Sequence, residues 1–384
     1  TDRPRLVFLF SETGAGHRVA AEAVQAALER VAPQRFSVDL EDPMSRQAGI
    51  LARRVTALYG PITRHAPALW ALGYHVTNAA PTVRTIQGTL GRGLRPRMRQ
   101  LLDPPPALVA SFHPLLNHVA LDVLPRAVPL VTVITDWIDF HHAWTDPRAS
   151  FVICPSEPAM ALCRQRGIPE ARLFRAGLPV HPRLADAIRR YPDRRSARHA
   201  LKLRPYAPTV LLVGGGDGTE PLDRYARALA ALPLDLQVLA VCGRNERLAR
   251  RLREESHTGV HVFGFVDNMP ELMLASDLVV TRAGPGMIAE ALACGCPLLL
   301  TARLPGQETG NVREVLRLRV GQFVPHISQL VEAVRAWYAK PEPEREADRR
   351  RAKEAMDPQA AFKIARFLAH VARKSVVSPP AREA

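Results

Sequence analysis

Short, fully apolar segments alternate with helical segments along the chain, and this alternation occurs twice. The first series begins with LVFLF (6–10), a glycine turn and a helix whose apolar residues share one face (19–31). A Pro- and Arg-rich stretch interrupts it, and TVLLVGGGDG (209–218) starts a second series. Short β-branched strands that do not alternate with polar residues are typical of parallel sheets covered by helices on both faces. The pattern therefore predicts an α/β chain with two Rossmann-like, doubly wound domains.

The interruption sets the predicted domain boundaries, because a chain of 384 residues is long enough for two cores. We expect a first domain at 1–180, a linker at 181–207 and a second domain at 208–355. A final helix within 356–384 follows a Pro- and charge-rich break and could pack back on either domain, including the N-terminal one. Ligands of open α/β sheets bind at the carboxyl ends of the strands, so two facing domains would form a cleft there.

The composition narrows the class of protein. Apolar residues make up 47% of the chain, as in folded globular proteins. The formal net charge is +15, with 47 Arg against 5 Lys. Two explanations remain open: a solvated surface in an Arg-rich protein, or an anionic partner such as nucleic acid, a membrane surface or a nucleotide.

Five cysteines without a CxxC pair argue against a disulfide framework or a zinc site and favour reduced thiols in a cytosolic protein. No apolar run of about 18 residues is present, and the start TDRPRL does not resemble a signal peptide. We therefore expect a cytoplasmic protein without a membrane-spanning helix.

Small and polar residues follow successive strands of the second predicted domain, at the edge where ligands bind. They are Gly214 and Gly215, then Gly243 and Arg244, then Gly264 to Val266, and finally Gly284, Pro285 and Gly286. The last group opens a helix, and a helix N-terminus offers unpaired N–H groups and a positive dipole end to a phosphate. Tight turns also need glycine, so each motif alone could be structural. Their recurrence at four strand ends favours a nucleotide site.

Two further polar features accompany the last glycine turn. Glu290 lies one turn into the helix and could accept hydrogen bonds from ribose hydroxyls. In LPGQETGNV (304–312), Gln307, Glu308 and Asn311 combine donors and acceptors that suit sugar hydroxyls. The alternative for this loop is a polar turn that caps the following helix.

These residues resemble a known family. The segment GFVDNMPELMLASDLVVTRAGPGMIAEALACGCPLLLTARLPGQETGN (264–311) is similar to the donor half of glycosyltransferase family 28, whose members have the two-domain GT-B architecture. The resemblance implies that Phe265 and Val266 hold uracil through backbone groups, and that Glu290 holds the ribose.

The same resemblance implies roles for two loops. Gly284 to Met287 would approach the diphosphate, while Gln307 and Glu308 would read the sugar. Met287 is a departure, because relatives often have Thr at this position. A side-chain contact to the phosphate is therefore not expected from this residue.

The opening stretch SETGAGHRVAAEAV (11–24) resembles the diacylglycerol-glycosylating branch of this family, in which a glycine loop ends in His. Further matches are SFHPLLNH (111–118) and VITDWIDFHHAW (133–144), so that the resemblance covers about residues 5–325. Gly14 and Gly16 would let the backbone approach the diphosphate and the sugar of the donor. His17 would be the residue that the loop presents.

His17 is the candidate general base. An acceptor hydroxyl must lose its proton as it attacks the anomeric carbon, and a neutral imidazole suits this role because a helix N-terminus disfavours the imidazolium. Asp136 and His141 could orient His17 or the acceptor; alternatively, Asp136 caps a turn and His141 lies on the surface. His113 precedes a proline and is expected to be a loop or acceptor-contact residue.

Direct attack by the acceptor predicts inversion at the anomeric carbon. The glycine turn at Gly284 would stabilise the charge that grows on the departing UDP. No metal-ligand spacing is visible, so we expect neither a metal nor a cofactor, and the UDP-sugar enters as a substrate.

A basic segment at 43–102 contains nine Arg and no Asp or Glu, with interleaved aromatic and aliphatic residues. This composition suits an anionic membrane interface, where each cation contributes about 1 kcal/mol. Its portion YGPITRHAPALWALGY (59–74) also resembles the lipid-acceptor region of diacylglycerol relatives. The alternative is a solvated helical insertion. Nothing resembles a nucleic-acid-binding module, and no nucleic-acid partner is expected.

The main hypothesis is an inverting glycosyltransferase on the inner leaflet of the plasma membrane. It would move glucose or galactose from UDP-glucose or UDP-galactose to diacylglycerol, and the sequence does not distinguish the two sugars. Three alternatives remain: a polyprenyl carrier as the acceptor, a UDP-sugar 2-epimerase with the same fold, and a basic lipid- or nucleic-acid-binding protein with an inactive sugar-nucleotide fold.

Overall fold

The computed structural model describes residues 3–12, 15–44, 66–78, 80–216, 220–255 and 257–377. The chain divides into two compact units. The first unit comprises Thr1–Pro182, Leu304–Gly310 and Gln359–Ala384. The second unit comprises Arg183–Arg303 and Asn311–Pro358.

The first unit is built on a parallel sheet of six strands in the order β2-β1-β3-β4-β5-β6. The strands are β1 Arg5–Leu9, β2 Ser37–Glu41, β3 Leu108–Ser111, β4 Leu130–Val133, β5 Phe151–Cys154 and β6 Leu173–Arg175. The helices up to this point are α1 Ala15–Val31, α2 Pro67–Thr77, α3 Ala80–Leu101, α4 Pro114–Leu121 and α5 Glu157–Gln165, with short 3-10 turns at His142–Trp144 and Glu170–Arg172.

The second unit contains another six-stranded parallel sheet, in the order β12-β11-β10-β7-β8-β9. Its strands are β7 Thr209–Val213, β8 Gln237–Val241, β9 Val260–Phe263, β10 Leu278–Thr281, β11 Leu298–Leu300 and β12 Gly321–Phe323. The helices that follow in chain order are α6 Pro182–Arg190, α7 Arg194–Ala200, α8 Leu222–Ala230, α9 Glu246–Glu255, α10 Met269–Ala275, α11 Pro285–Ala293, α12 Thr309–Arg317, α13 Ile327–Ala339 and α14 Glu342–Glu354. Two doubly wound parallel sheets confirm the α/β fold class predicted from the apolar segments.

The C-terminal helix α15, Ala360–Val377, belongs to the first unit and packs against α1. Its side chains Ile364 and Leu368 are fully buried in the same apolar cluster as Leu6 and Phe8 of β1. Burying a large aliphatic side chain stabilises a fold by about 1.5–3 kcal/mol. The helix is therefore an integral part of the core on that face of the sheet.

The opposite face of the first sheet has its own core. Val7 and Leu9 alternate with Leu6 and Phe8 along β1, and they pack in a second cluster that includes Leu94 and Met98 of α3. Strands buried on both faces carry apolar side chains in both directions. This explains why LVFLF has no polar alternation.

Part of the arginine excess serves the interior of the second unit. The buried carboxylate of Asp277, just before β10, accepts hydrogen bonds from Arg198 (3.0 Å) and Arg349 (3.3 Å). It also accepts the backbone N–H of Thr209 (2.9 Å) and the hydroxyl of Tyr338 (3.1 Å). One carboxylate thus joins α7, β7, α13 and α14, and two of the cations are structural.

The structure differs from the predicted boundaries in three places. The segment 181–207, predicted as a linker, contains α6 and α7, and the second unit begins at Arg183 within it. The charge-rich break before the last helix contains α14. Within the predicted second domain, Leu304–Gly310 groups with the first unit. Helices α6 and α7 are shorter than the window over which a helical period is recognised, and α14 has almost no apolar residues, so none of them gives a clear periodic signal.

Candidate active site

His17 lies in the first turn of α1, directly after the glycine loop that follows β1. Its Nδ1 atom is 2.9 Å from the hydroxyl oxygen of Thr135, a buried residue two positions beyond the end of β4. The two residues are 118 positions apart in the chain. They meet because β1 and β4 both end at the carboxyl edge of the same parallel sheet.

The surroundings of His17 are aromatic. The ring of His113, after β3, meets the His17 ring edge to face with 4.7 Å between centroids, and Trp144 lies at 5.9 Å. Burial lowers the pKa of His17 to about 4, although the carbonyl of Phe112, which would accept a hydrogen bond from the charged ring, raises it. Burial, and then the charge of His17, also lower the pKa of His113 well below its ordinary value. Both imidazoles are therefore neutral at pH 7.

Asp136 is committed to two other side chains. One carboxylate oxygen accepts a hydrogen bond from the indole N–H of Trp144 (2.7 Å), and the other accepts from the amide of Gln307 (3.3 Å). Burial raises the pKa of Asp136 to about 6; these two hydrogen bonds lower it and the nearby Glu308 raises it. Asp136 thus joins the loop that carries Trp144 to the polar loop that carries Gln307.

His141 is held by the end of α2. Its Nδ1 accepts the backbone N–H of Ala143 (3.2 Å), so in the neutral ring Nε2 carries the proton and donates to the hydroxyl of Thr77 (3.2 Å). The Thr77 hydroxyl in turn donates to the carbonyl of Gly73 (2.7 Å). Burial, followed by the charge of Arg166, lowers the pKa of His141 to about 4. His141 is half-buried, so it is not the surface residue that the alternative predicted.

Thr135 is the residue that the sequence analysis missed in this cluster. In the described part of the chain, it is Thr135, rather than Asp136 or His141, whose side chain is hydrogen-bonded to His17. A threonine hydroxyl has no local signature, and the only available signal was its position at a strand end beside Asp136. His113, expected as a loop or acceptor-contact residue, packs directly against the candidate base.

The polar loop Leu304–Gly310 folds around its own backbone. The carboxylate of the buried Glu308 accepts the N–H of Leu304 (2.6 Å), and Thr309 accepts the N–H of Gly306 (3.3 Å). Gly306 has φ +85°, and a Cβ there would lie 2.8 Å from the ring of Tyr74. This position therefore requires glycine. Glu308 acts as a turn-forming residue in this structure, while Gln307 points its amide at Asp136.

The glycines of the second unit lie at the carboxyl edge of its sheet. The backbone N–H of Arg244 donates to the carbonyl of Gly216 (3.0 Å), which joins the ends of β7 and β8. Gly243 has φ +58°, and a Cβ there would lie 2.5 Å from the carbonyl oxygen of Gly215. Only glycine fits this close approach, so the packing of the backbone alone explains why residue 243 is glycine. Gly214 is buried, and its N–H donates to Val241 (3.1 Å).

An aromatic ring and a cation lie at the same edge. The side chain of Phe265, two residues beyond β9, is 68% exposed, although aromatic rings are usually buried. The guanidinium of Arg244 lies 5.9 Å from the centre of that ring. Val266 follows in the same loop and is half-buried.

Helix α11 begins at this edge with Gly284 as its N-cap and Pro285 as its first residue. No side chain caps it, and Ile288 donates the first intrahelical hydrogen bond, to Gly284 (3.1 Å). The N–H groups of Gly286 and Met287 in the first turn therefore remain for a ligand. Pro285 has no N–H, so Gly286 and Met287 supply the donors of the first turn.

Two more residues of this region have different surroundings. Burial raises the pKa of Glu290, in the second turn of α11, to about 7. Asn311 is buried and its amide donates to the carbonyl of Ala283 (3.0 Å), which fixes the loop before the helix. The amide nitrogen of Asn311 thus has a structural contact, and a role of this residue toward sugar hydroxyls stays a prediction.

Some predicted features lie outside the described residues. Gly14 does, as do residues 45–65 and 79 of the basic segment. Gly16 is exposed in the first turn of α1, where a Cβ would meet no other atom. Over the described ranges, no group of three or more His, Cys, Asp or Glu residues could hold a metal ion. Every described helix is too short or too polar to cross a membrane.

Comparison with known proteins gives the same assignment for both units. Residues 17–180 match the family described as monogalactosyldiacylglycerol (MGDG) synthase, and residues 209–358 match the glycosyltransferase family 28 C-terminal domain. The chain is 30% identical to monogalactosyldiacylglycerol synthase from Spinacia oleracea, over 97% of this chain and 73% of that protein. It is 32% identical to monogalactosyldiacylglycerol synthase 1 from Arabidopsis thaliana, over 97% and 72%.

Solved structures show the fold. MurG from Acinetobacter baumannii aligns with a TM-score of 0.59 at 16% identity, covering 96% of this chain and all of that one. The UDP-GlcNAc 2-epimerase from Neisseria meningitidis aligns with a TM-score of 0.62 at 13% identity, covering 95% and 100%. Both likenesses support the GT-B architecture. With the two family matches and relatives at 30–32% identity, the chain belongs to the monogalactosyldiacylglycerol synthase family of glycosyltransferase family 28.

Proposed function

We propose that this glycosyltransferase moves a hexose from a UDP-sugar to diacylglycerol, with inversion at the anomeric carbon and with His17 as the general base. The relatives are monogalactosyldiacylglycerol synthases, which favours galactose as the hexose and diacylglycerol as the acceptor. The observation that carries the proposal for the base is the neutral, half-buried imidazole of His17 at the carboxyl edge of the first sheet.

The proposed reaction is a single displacement. The acceptor hydroxyl gives its proton to a ring nitrogen of His17 while its oxygen attacks the anomeric carbon. The new C–O bond forms as the bond between that carbon and the β-phosphate oxygen breaks, and the electron pair leaves with UDP. Attack from the face opposite the leaving group inverts the anomeric centre. General base catalysis of this kind typically contributes about 10²- to 10⁴-fold in rate.

The second unit would bind the donor at the carboxyl edge of its sheet. The free N–H groups of Gly286 and Met287 and the positive end of α11 suit a diphosphate. Gly215, where a Cβ would meet no other atom within 4 Å, leaves room for the nucleotide, while Gly214 and Gly243 shape the turns beside it. Arg244 supplies a cation beside it, and we infer that Phe265 and Val266 hold the uracil.

Two acidic residues differ in the hydrogen bonds that they could form with the UDP-sugar. Glu290 would accept hydrogen bonds from ribose hydroxyls, for which its ionised form is the better acceptor. Glu308 already accepts the N–H of Leu304, so only its remaining lone pairs would serve the sugar. Gln307 is then the better candidate for recognising the hexose, because an amide both donates and accepts.

The membrane contact is proposed at the basic segment 43–102. In its described part, α2 carries an apolar row of Leu69, Leu72 and Val76, each 57–62% exposed and spaced along one face of the helix. Helix α3 follows with Arg92, Arg97 and Arg99 and no acidic residue. An exposed apolar row beside cations suits peripheral attachment to an anionic leaflet, here the cytoplasmic face of the plasma membrane.

One set of incubations tests the proposal. The purified protein is given UDP-galactose or UDP-glucose with vesicles that contain diacylglycerol, and the product is identified by mass spectrometry and by the NMR coupling of its anomeric proton. A β-galactosyl diacylglycerol is the expected product. Transfer to a polyprenyl phosphate instead would contradict the acceptor, and conversion of the UDP-sugar without a lipid acceptor would indicate an epimerase.

A further inference from the structure

The partner of the candidate base is a hydroxyl group. Thr135 is 7% exposed, and its Oγ1 lies 2.9 Å from Nδ1 of His17. The neighbouring carboxylate of Asp136 does not take this place: its two oxygens accept hydrogen bonds from Trp144 and Gln307 instead. The imidazole therefore has a neutral partner instead of the carboxylate that often orients a catalytic histidine.

We propose that Thr135 is a positioning residue for the transfer reaction: its hydroxyl accepts the Nδ1–H of His17 and so leaves the Nε2 lone pair as the base. This inference rests on the proposed role of His17. In solution a neutral histidine can carry its proton on either nitrogen, and the hydrogen bond of one nitrogen fixes which one is basic.

The hydrogen bond gains strength during the reaction. When Nε2 takes the proton of the acceptor hydroxyl, the ring becomes an imidazolium, and the Nδ1–H now donates from a charged group. Hydrogen bonds from charged donors are about twice as strong as neutral ones. Thr135 thus stabilises the transition state more than the resting enzyme.

The rings around His17 limit its other orientations. His113 meets it edge to face at 4.7 Å, and Trp144 lies at 5.9 Å. Both are buried, so a 180° flip of the His17 ring would exchange the Nδ1 contact to Thr135 for a carbon atom. Packing holds the plane of the ring, and the hydroxyl of Thr135 selects which edge faces the acceptor.

The first test compares Thr135→Val, which keeps the shape and removes the hydroxyl, with Thr135→Ser, which restores it. We expect kcat to fall about ten- to a hundredfold in Thr135→Val, the loss expected for one hydrogen bond to a charged group. The KM for the UDP-sugar should change less than twofold, and Thr135→Ser should recover most of the activity. Wild-type kcat in Thr135→Val, or equal losses in both variants, would overturn the inference.

The second test measures the tautomer itself and does not depend on activity. Two-bond ¹⁵N–¹H correlation spectra of ¹⁵N-histidine-labelled protein distinguish Nδ1–H from Nε2–H rings, and His17→Gln identifies the signal among the 13 histidines. We expect Nδ1–H in the wild type and in Thr135→Ser, and Nε2–H in Thr135→Val. An Nε2–H ring in the wild-type protein would refute the proposal even if every Thr135 variant were unstable.

His17→Ala distinguishes a failure of the base assignment from a failure of the role of Thr135. If His17→Ala keeps wild-type turnover, the base assignment fails, and the role of Thr135 fails with it. If His17→Ala is inactive and Thr135→Val is fully active, only the role of Thr135 fails.

Discussion

The indole of Trp144 donates a buried hydrogen bond of 2.7 Å to the carboxylate of Asp136. An ionised carboxylate in such a place is costly, because burial removes most of its hydration. The pKa of Asp136 is raised to about 6 for this reason. The folded protein therefore holds a proton on Asp136 more tightly than the unfolded chain does, over the range between about pH 4 and pH 6.

This linkage predicts how Asp136→Asn changes thermal stability with pH. Well below pH 4 the raised pKa does not destabilise the wild type. Above about pH 6 it lowers the free energy of unfolding by about 3 kcal/mol. Asn does not ionise, so the Tm of the variant relative to the wild type should rise by several degrees between pH 5 and pH 8. Scanning fluorimetry across this range measures it, with the exposed Glu354→Gln as the control. A Tm difference independent of pH would contradict the raised pKa.

His17→Ala should abolish most of the turnover and leave nucleotide binding intact. Without the imidazole, no positioned base accepts the proton of the acceptor hydroxyl, and we expect kcat to fall about 10²- to 10⁴-fold. Calorimetric titration with UDP should give a Kd within about twofold of the wild type. His370→Ala, an exposed residue of α15, is the matched control and should behave as the wild type in both assays. Retained turnover in His17→Ala would remove the residue from the chemistry.

Glu290→Gln should weaken UDP binding and remove part of its pH dependence. The carboxylate is the stronger hydrogen-bond acceptor, and its pKa of about 7 means that the wild type loses this form as the pH falls from 8 to 6. The Kd of the wild type for UDP should rise over that range by more than the Kd of the variant. Glu254→Gln, an exposed carboxyl of α9, serves as the control. Parallel pH profiles for Glu290→Gln and the wild type would exclude Glu290 from the nucleotide contact.

The apolar row on α2 predicts vesicle binding. Replacing Leu69, Leu72 and Val76 with Ser removes exposed apolar surface, so sedimentation with phosphatidylglycerol vesicles should decrease at every salt concentration. Neutralising Arg53, Arg54 and Arg64, which lie outside the described residues, should lower binding at low salt and have less effect at high salt, because salt screens charges. Exposed Leu316 on α12 provides a control of similar size, as Leu316→Ser. Unchanged sedimentation in the triple Ser variant would place the membrane contact elsewhere.

The fold was largely predictable because most of its strands are short, continuous apolar segments that can be recognised from a few neighbouring residues. LVFLF, LVAS, TVLLV and LVVT all form buried parallel strands. The edge strands SVDLE and GQF were missed, since an edge strand needs few apolar residues. Helix α14 was also missed, because EPEREADRRRAKE has no apolar stripe and is held by Arg349 on Asp277.

The candidate site was predictable only in part. The glycine turns and His17 follow from strand–turn–helix patterns, which are local. The bond between His17 and Thr135 spans 118 residues, and the engagement of Asp136 by Trp144 and Gln307 depends on tertiary packing. No spacing in the sequence encodes such contacts. Sequence reasoning therefore proposed the candidate base, whereas its hydrogen-bonded neighbour Thr135 becomes visible only in the folded structure.

The position of α15 in the core of the first unit has a consequence for the order of folding during synthesis. Residues 183–358 leave the ribosome before Ile364 and Leu368 exist to cover β1 and α1. While the second unit is translated, the apolar cluster formed by β1 and α1 therefore lacks the side chains of α15. Truncations that remove α15 should leave this apolar cluster incomplete and direct the chain to chaperones or aggregation. Helix α15, which is made after the second unit, thus completes the core of the first.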